Sequence, residues 1–412
     1  MPQIVAVDTV DEATHTEEVA AFALHIQGTA RPAGNAEGPL SLIEGEGLIR
    51  VALQHSQGAL DIGLDLLARP LPPRRGPELL GARSVDEFGP YLPYLMKVLS
   101  ARHPLSLQAH PSRALAEEGF AAEEAAGVPL TAPQRVYKDD WPKPEILVAL
   151  EEFHALCGFR DPSITIALFE ALEVGPSIER VIGPLRSRGG EAGLQEVFLQ
   201  LLAMKEQQVD IVDAVLAAAV ERRDEPGELG DFARTALELD DVFPRDPGIL
   251  AALLLNRVTL QPGQGLYTPA GVMHAHLRGT GVEVMASSDN VIRGGLTTKH
   301  IAVDELVRVV DFGWGEPEVI DATETAPGVF DYPTHCHEFD VWRLELAADA
   351  PLELPSPEGA RIVLVTRGTV VLSDEERTLE LSKGDSVFVP ATNPAITASG
   401  DAQVFLAAPG LA

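Results

Sequence analysis

Apolar and polar positions change rhythm several times along this chain, and each change marks a change of element. From Leu105 to His110 the two kinds alternate: Leu105, Leu107 and Ala109 fall on one side of an extended strand, Ser106, Gln108 and His110 on the other. Tyr94 to Leu99 reads as a strand or as the passage from a helix into one. Ser112 to Ala126, rich in Ala, Glu and Leu, predicts a helix with Ser112 as its N-cap and Gly127 as its stop. Glu145 to Leu150 reads as a strand. From Ser163 to about Arg223 the period turns helical, through Ile164, Ala167, Leu168 and Leu172, then Leu194, Val197, Phe198 and Leu201, with Gly189-Gly190 breaking the run. Asp231 to Leu239 adds a further helix. After Leu260, turn residues (Gln261-Pro262-Gly263-Gln264-Gly265, then Gly279-Thr280-Gly281) separate short β-branched runs, the texture of a sandwich or jelly roll. The chain's end repeats that texture in Arg361–Val365, Gly368–Leu372 and Leu381–Pro390, with Lys383-Gly384-Asp385 as a β-turn.

Before Ser84 the pattern is hard to read. Glu17 to Gln27 has helical spacing (Val19, Phe22, Ala23, Ile26), residues 28–49 are rich in glycine and small residues, and Arg69–Pro77 carries four prolines and reads as a linker. A chain of 412 residues is longer than one ordinary domain. The expected division is therefore a jelly roll from residues 84–160 and 251–325, a helical insertion at 161–250, a second β domain at 326–412, and an N-terminal region, 1–83, whose structure the pattern does not give.

Composition sharpens this only slightly. Hydrophobic residues make up 45% and charged residues 23%, as in a chain that buries a core. Sixty-two acidic against 31 basic residues give a net charge of −31, which argues against nucleic acid or an anionic membrane as partner, since both need a basic face. Cys157 and Cys336 are the only cysteines, so a disulfide framework is not expected and a reducing compartment is the simpler reading. Met1-Pro2-Gln3-Ile4-Val5 has no basic leader, and no apolar run reaches the length of a bilayer span, so a cytoplasmic location is expected.

The chemistry is concentrated in a few segments. Gln108 and His110 share a strand face. Lys143-Pro144-Glu145 leads into the apolar run Ile146–Leu150. Pro269–Met273 leads into His274, and Ser288-Asp289-Asn290 precedes Arg293-Gly294-Gly295. Two histidines, a carboxylate and an amide form a mixed nitrogen and oxygen set that Zn²⁺ accepts. Any one of these histidines alone reads more simply as a core imidazole satisfied by backbone; the combination is what argues for a site. Lys143, two residues before Glu145, is expected on the same strand face, with its ammonium near the cluster. Arg293 carries a planar fork suited to phosphate or vicinal oxygens, and the two glycines after it would let a ligand approach. Glu283 alternates with Val282 and Val284 and is a candidate base facing a cavity, although a solvent-facing glutamate has the same spacing. His335 and His337 mimic a metal pair, but without a matching carboxylate they read as a surface or turn pair.

These residues stand in four blocks that resemble type I mannose-6-phosphate isomerases. The blocks are Leu95–Ser100 running on to Gln108 and His110; Lys143-Pro144-Glu145 with Ala155–Phe159; Pro269-Ala270-Gly271 with His274; and Ser288-Asp289-Asn290 through Arg293 to Lys299-His300. The resemblance covers Ser84 to the C-terminus. It implies a mainly β fold with α: cupin-type jelly rolls with a helical insertion domain. It also implies one Zn²⁺ per chain held by Gln108, His110, Glu145 and His274, and reversible isomerisation of mannose 6-phosphate to fructose 6-phosphate through a cis-enediol. Lys143 or Glu283 would be the base, and Arg293 and Lys143 would steady developing charge. Ser106, Lys299 and Lys97 are the candidates for gripping the phosphate. The chain departs from the family pattern in lacking a Tyr-x-Trp-Gly segment, in Pro142 where a histidine is common, and in His276 where a tyrosine is common. A non-catalytic cupin that binds a sugar phosphate is the alternative, and an oxygenase-type metal cupin fits the donor set less well. The expected partner is a small sugar phosphate, not nucleic acid or membrane. The oligomeric state is left open, a monomer being compatible with the sequence.

Overall fold

The computed structural model describes residues 49–50, 54–56, 59–62, 76–204, 210–356, 358–375 and 378–411. The expected helix at Glu17–Gln27 and the linker residues 69–75 lie outside them. The chain divides into two units, one running from Ala101 to Asp321 and the other combining residues up to Ser100 with Ala322–Ala412.

In the Ala101–Asp321 unit, β-strands form two layers that share one long strand, His274–Ala286. Its second half pairs with Glu145–Ala149, which pairs in turn with Gln264–Thr268 and, beyond that, Val319–Asp321. Its first half pairs with Leu107–Ala109 and Phe153–Phe159, the latter also pairing with Leu255–Leu260, while Ile292–Gly295 pairs with Leu107–Ala109. The shared strand turns a corner between the layers. Its register slips between His276 and Arg278, and Gly279 sits at φ 121, a conformation open to glycine. A Cβ at Gly279 would lie 2.7 Å from the Phe153 ring, so the corner closes only around a residue without a side chain.

Helices fill the chain between the paired strands Phe153–Phe159 and Leu255–Leu260: Pro162–Ala171, Glu179–Arg188, Gly190–Leu202, Asp210–Arg222, Glu228–Val242 and Gly248–Ala252. The first starts where the sequence dictates. Asp161 accepts a hydrogen bond from the Ser163 amide at 2.7 Å and Pro162 occupies the first turn, a cap worth about 1 kcal/mol. Gly189 and Gly190, at φ 63 and 49, break the run as expected. The Asp231–Leu239 expectation proves short, because the helix spans Glu228–Val242, and β structure resumes at Leu255 rather than after Leu260. Polar Asn256, Arg257 and Thr259 hid that strand's pattern. Buried Phe169, Val181, Val197, Phe198 and Phe232 of the helices share one core with Leu107, Ala109, Ala275 and Ile292 of the strands and with Met273 just before one of them. The alternation read from the sequence thus has a purpose: Leu107 and Ala109 face the helices and leave Gln108 for the other side. Ser112 does cap the helix Arg113–Ala125, accepting from the Leu115 amide.

The other unit carries a sheet in the order Ile49–Arg50, Ser386–Val389, Arg361–Ser373, Thr397–Ala408, Asp340–Leu346, Val329–Tyr332 and Thr323–Ala326. Two runs expected as separate strands are one, Arg361–Ser373, kinked where the register slips between Val365 and Arg367. Gly368, at φ 74, brings its backbone so close to Asp401 that any Cβ would meet the Asp401 carbonyl. Lys383-Gly384-Asp385 is the expected turn, with the Asp385 amide donating to the Ser382 carbonyl at 2.8 Å. His335 and His337 are exposed on the bend before Asp340–Leu346 and, among the described residues, join no cluster able to hold a metal. Among the same residues, no helix is long and apolar enough to cross a membrane.

Candidate functional site

Strand ends and pairing bring four side chains to one place. His110 follows the Leu107–Ala109 strand, Glu145 opens its own strand, and His274 opens the corner strand with Gln108 as its backbone partner. His110 Nε2 lies 3.3 Å from Glu145 Oε1, His274 Nε2 lies 3.5 Å from Glu145 Oε2, and Gln108 Nε2 lies 3.1 Å from His274 Nε2. Both imidazoles and the carboxylate are buried.

Hydrogen bonds on the far side of each ring decide what the near side offers. His110 Nδ1 donates to the Asn290 carbonyl at 2.6 Å, and His274 Nδ1 donates to the Val272 carbonyl at 3.0 Å. Carbonyl oxygens only accept, so both Nδ1 atoms carry the proton and both Nε2 atoms present lone pairs toward Glu145. Burial pulls the His110 pKa down against the attraction of Glu145, which keeps that ring neutral. Burial pushes the Glu145 carboxyl up, but neighbouring positive charge, that of the Lys143 ammonium included, outweighs it and holds the group well below its ordinary range. Among the described residues, His110 Nε2 meets no hydrogen-bond donor. Two nitrogen lone pairs and a carboxylate converging without a proton between them are a poor arrangement for a bare protein and a fitting one for a divalent cation. A half-turn of the Gln108 amide replaces its NH₂ with a fourth donor, its oxygen.

Lys143 corrects the sequence reading. It precedes the strand instead of lying on it, because Pro142 and Pro144 have no amide to join a ladder. Its ammonium nevertheless reaches Glu145 Oε1 at 3.4 Å. The Gly294-Gly295 reading is also corrected. A Cβ on Gly294 would lie 2.8 Å from Met273 Cε, and one on Gly295 would lie 3.2 Å from Gly248 Cα, so the pair admits neighbouring chain and not a ligand. Glu283 is buried and accepts a hydrogen bond from His276 Nε2 at 2.8 Å. One atom each of Glu145, His276 and Glu283 lie within 4.8 Å of one another, so this pair borders the His110–Glu145–His274 cluster.

Arg293 stands opposite Gln108 in the backbone ladder, and its Nη1 donates to Ser106 Oγ at 2.8 Å. It is one wall of a cavity of about 310 Å³ that Lys299, His300, Lys138 and Arg135 also line. Burial, and then the charge of Arg293, lower the Lys299 pKa. Cations facing a concavity in so acidic a chain favour an anionic ligand. Lys97, the remaining candidate, lies on the Tyr94–Ala101 strand of the other unit, opposite Asp61 in the backbone register.

Sequence reasoning missed three participants. Lys138 gave no signal of its own, and His276 stood out only as a departure from the family pattern. Asn290 stood in a quoted block without a role, yet it is wholly buried, donates to the Asp139 and Trp141 carbonyls at 2.9 Å, and accepts from the Lys138 amide at 2.7 Å. It fixes the loop whose carbonyl sets the His110 tautomer. Asn290→Ala is expected to weaken divalent-cation affinity about 10- to 100-fold in competition with a chromophoric chelator. Unchanged affinity would detach the Asn290 amide from the centre.

Comparison with known proteins gives a consistent result. A family model for the type I phosphomannose isomerase catalytic domain matches residues 75–162, and one for the mannose-6-phosphate isomerase cupin domain matches residues 329–409. Mannose-6-phosphate isomerase of Salmonella typhimurium is 36% identical over 326 residues, 78% of this chain and 80% of the relative. The human enzyme of that name is 32% identical over 335 residues, covering 76% and 75%. Among solved structures, a zinc-bound mannose 6-phosphate isomerase superposes with a TM-score of 0.72 at 32% identity, covering 82% of this chain and 83% of that one. The apo form of the Salmonella typhimurium mannose 6-phosphate isomerase also gives 0.72 at 32% identity, covering 82% of this chain and 84% of that one.

Proposed function

This chain belongs to the type I phosphomannose isomerases, and on that premise we propose that it interconverts mannose 6-phosphate and fructose 6-phosphate with one zinc ion per chain. His110, Glu145, His274 and the Gln108 oxygen would hold the ion. Supporting this, the two Nδ1–H groups are already committed to carbonyls, which leaves both Nε2 lone pairs aimed at one carboxylate. When bound, zinc supplies Lewis acidity toward the sugar's carbonyl and hydroxyl oxygens.

The chain's own residues carry the rest. Glu283, a buried carboxylate with one oxygen fixed by His276, suits the base that takes the C2 proton of the open-chain aldose and returns it at C1. The hydroxyl proton moves from O2 to O1, so the exchange is balanced within the sugar. Lys143, held at Glu145 as an ammonium, and Arg293, fixed by Ser106, suit the negative charge that appears on the enediol oxygens. Lys299 and its cavity neighbours Lys138 and His300 suit the phosphate dianion. Lys97 is kept as a further candidate for that grip.

The test is a coupled assay from mannose 6-phosphate, paired with elemental analysis. The expected result is turnover that disappears on chelation and returns with zinc. Binding of mannose 6-phosphate without product would leave only a sugar-phosphate-binding protein, and turnover by the metal-free chain would remove the zinc.

A further inference from the structure

Beside the proposed zinc ligands, Glu145, His276 and Glu283 form a second buried cluster with the donor types of a cation site. Two chemistries fit such a cluster: a second divalent ion, or a hydrogen-bonded pair that holds one carboxylate in place. Proton placement separates them. The His276 Nε2–Glu283 Oε1 contact of 2.8 Å is a hydrogen bond to a carboxylate, so the imidazole proton lies on Nε2. A cation bound through that nitrogen would drive the proton to Nδ1, which is buried and, among the described residues, has no hydrogen-bond partner. A stranded buried N–H is penalised by about 1–3 kcal/mol. Charge points the same way. With the proposed zinc bound, that ion and Lys143 would outweigh Glu145 and Glu283 by one positive charge, and a second divalent ion would leave three in a dry site.

The corner in the shared strand makes the pair possible. Seven residues of extended strand span roughly 23 Å, yet His276 and Glu283 touch because the chain turns at Gly279 between them. His276 also packs edge-on against Phe153, with ring centroids 5.4 Å apart, so its orientation is set by packing as well as by the hydrogen bond.

We propose that His276 is a positioning residue for the isomerisation: its Nε2–H fixes the Glu283 carboxylate beside the zinc ligands at the geometry needed for proton transfer. This rests on the proposed role of Glu283 as base. Loss of the donor removes one restraint on the carboxylate's orientation, and a misplacement of about 1 Å is enough to slow proton transfer about 100-fold.

The experiment compares zinc-loaded wild type, His276→Phe and His276→Gln. The phenylalanine keeps a ring against Phe153 without a donor, and the glutamine restores an N–H near the position of Nε2. His276→Phe is expected to lose about 10- to 100-fold in kcat with KM within about threefold and one zinc per chain retained. His276→Gln is expected to recover most of that loss. A His276→Phe enzyme as fast as wild type, or two variants equally impaired, overturns the proposal. So does a wild-type chain that binds two zinc ions and loses one in His276→Phe, because the cluster is then a cation site. Failure of the underlying reading looks different: Glu283→Gln would then retain wild-type turnover.

Discussion

Glu145→Ala is expected to purify without zinc and to lose about 10³-fold or more of its turnover of mannose 6-phosphate. Glu145 is the one anion between the two imidazole lone pairs, 3.3 and 3.5 Å from them, and it also neutralises Lys143. Without it the remaining ligands of a divalent ion would all be neutral, with an ammonium nearby, which is unfavourable in a buried site. Glu145→Gln separates charge from shape: it fills the same volume and is expected to lose zinc nearly as completely. Elemental analysis of both variants and the coupled assay give the two readouts. A full zinc complement in Glu145→Ala would refute the ligand set.

The second large effect is expected at Arg293. Arg293→Ala should lower kcat/KM about 10³-fold, because a half-buried guanidinium whose one Nη is set by Ser106 at 2.8 Å presents its remaining donors without further ordering. The division of the loss is informative. A fall in kcat with little change in KM means that Arg293 acts on charge arising at the enediol, whereas a raised KM with kcat kept means that it binds the phosphate. Arg293→Lys is expected to recover only a small part, since a single ammonium cannot keep both the Ser106 contact and a bidentate grip on the substrate. Wild-type kinetics in Arg293→Ala would exclude both roles.

How far the sequence could be read follows from how local each signal is. The faces of Leu107, Gln108 and Ala109 follow from strict alternation, and the helices from apolar periodicity with Ser112 and Gly189 at their ends. Those signals need only a few neighbouring residues. Spacing alone puts Lys143 on the strand face of Glu145, and only the two prolines, which cannot join a ladder, keep it off. The glycines after Arg293 look open to a ligand because nothing local tells a glycine that admits Met273 from one that admits a substrate. Asn290 works through its backbone carbonyl and its amide, which link residues far apart in the chain and leave no periodic trace. His276 and Glu283 meet only because one strand changes layer. Contacts made by a corner are invisible to a period-two pattern that assumes the strand runs straight.

The helical segment begins and ends at neighbouring points, since Phe159 stands opposite Leu255. Closure of that kind is the mark of a removable appendage, because lengthening a closed loop is penalised only logarithmically. Its core forbids removal: the helices cover the backs of the strands that carry Gln108, His274 and Arg293. Grip on the ion and cohesion of the helices are therefore two readings of one equilibrium. If zinc is held as proposed, saturating zinc is expected to add to the unfolding free energy of the whole unit, and slack among helices remote from the ligands in sequence is expected to reappear as weaker retention of the metal.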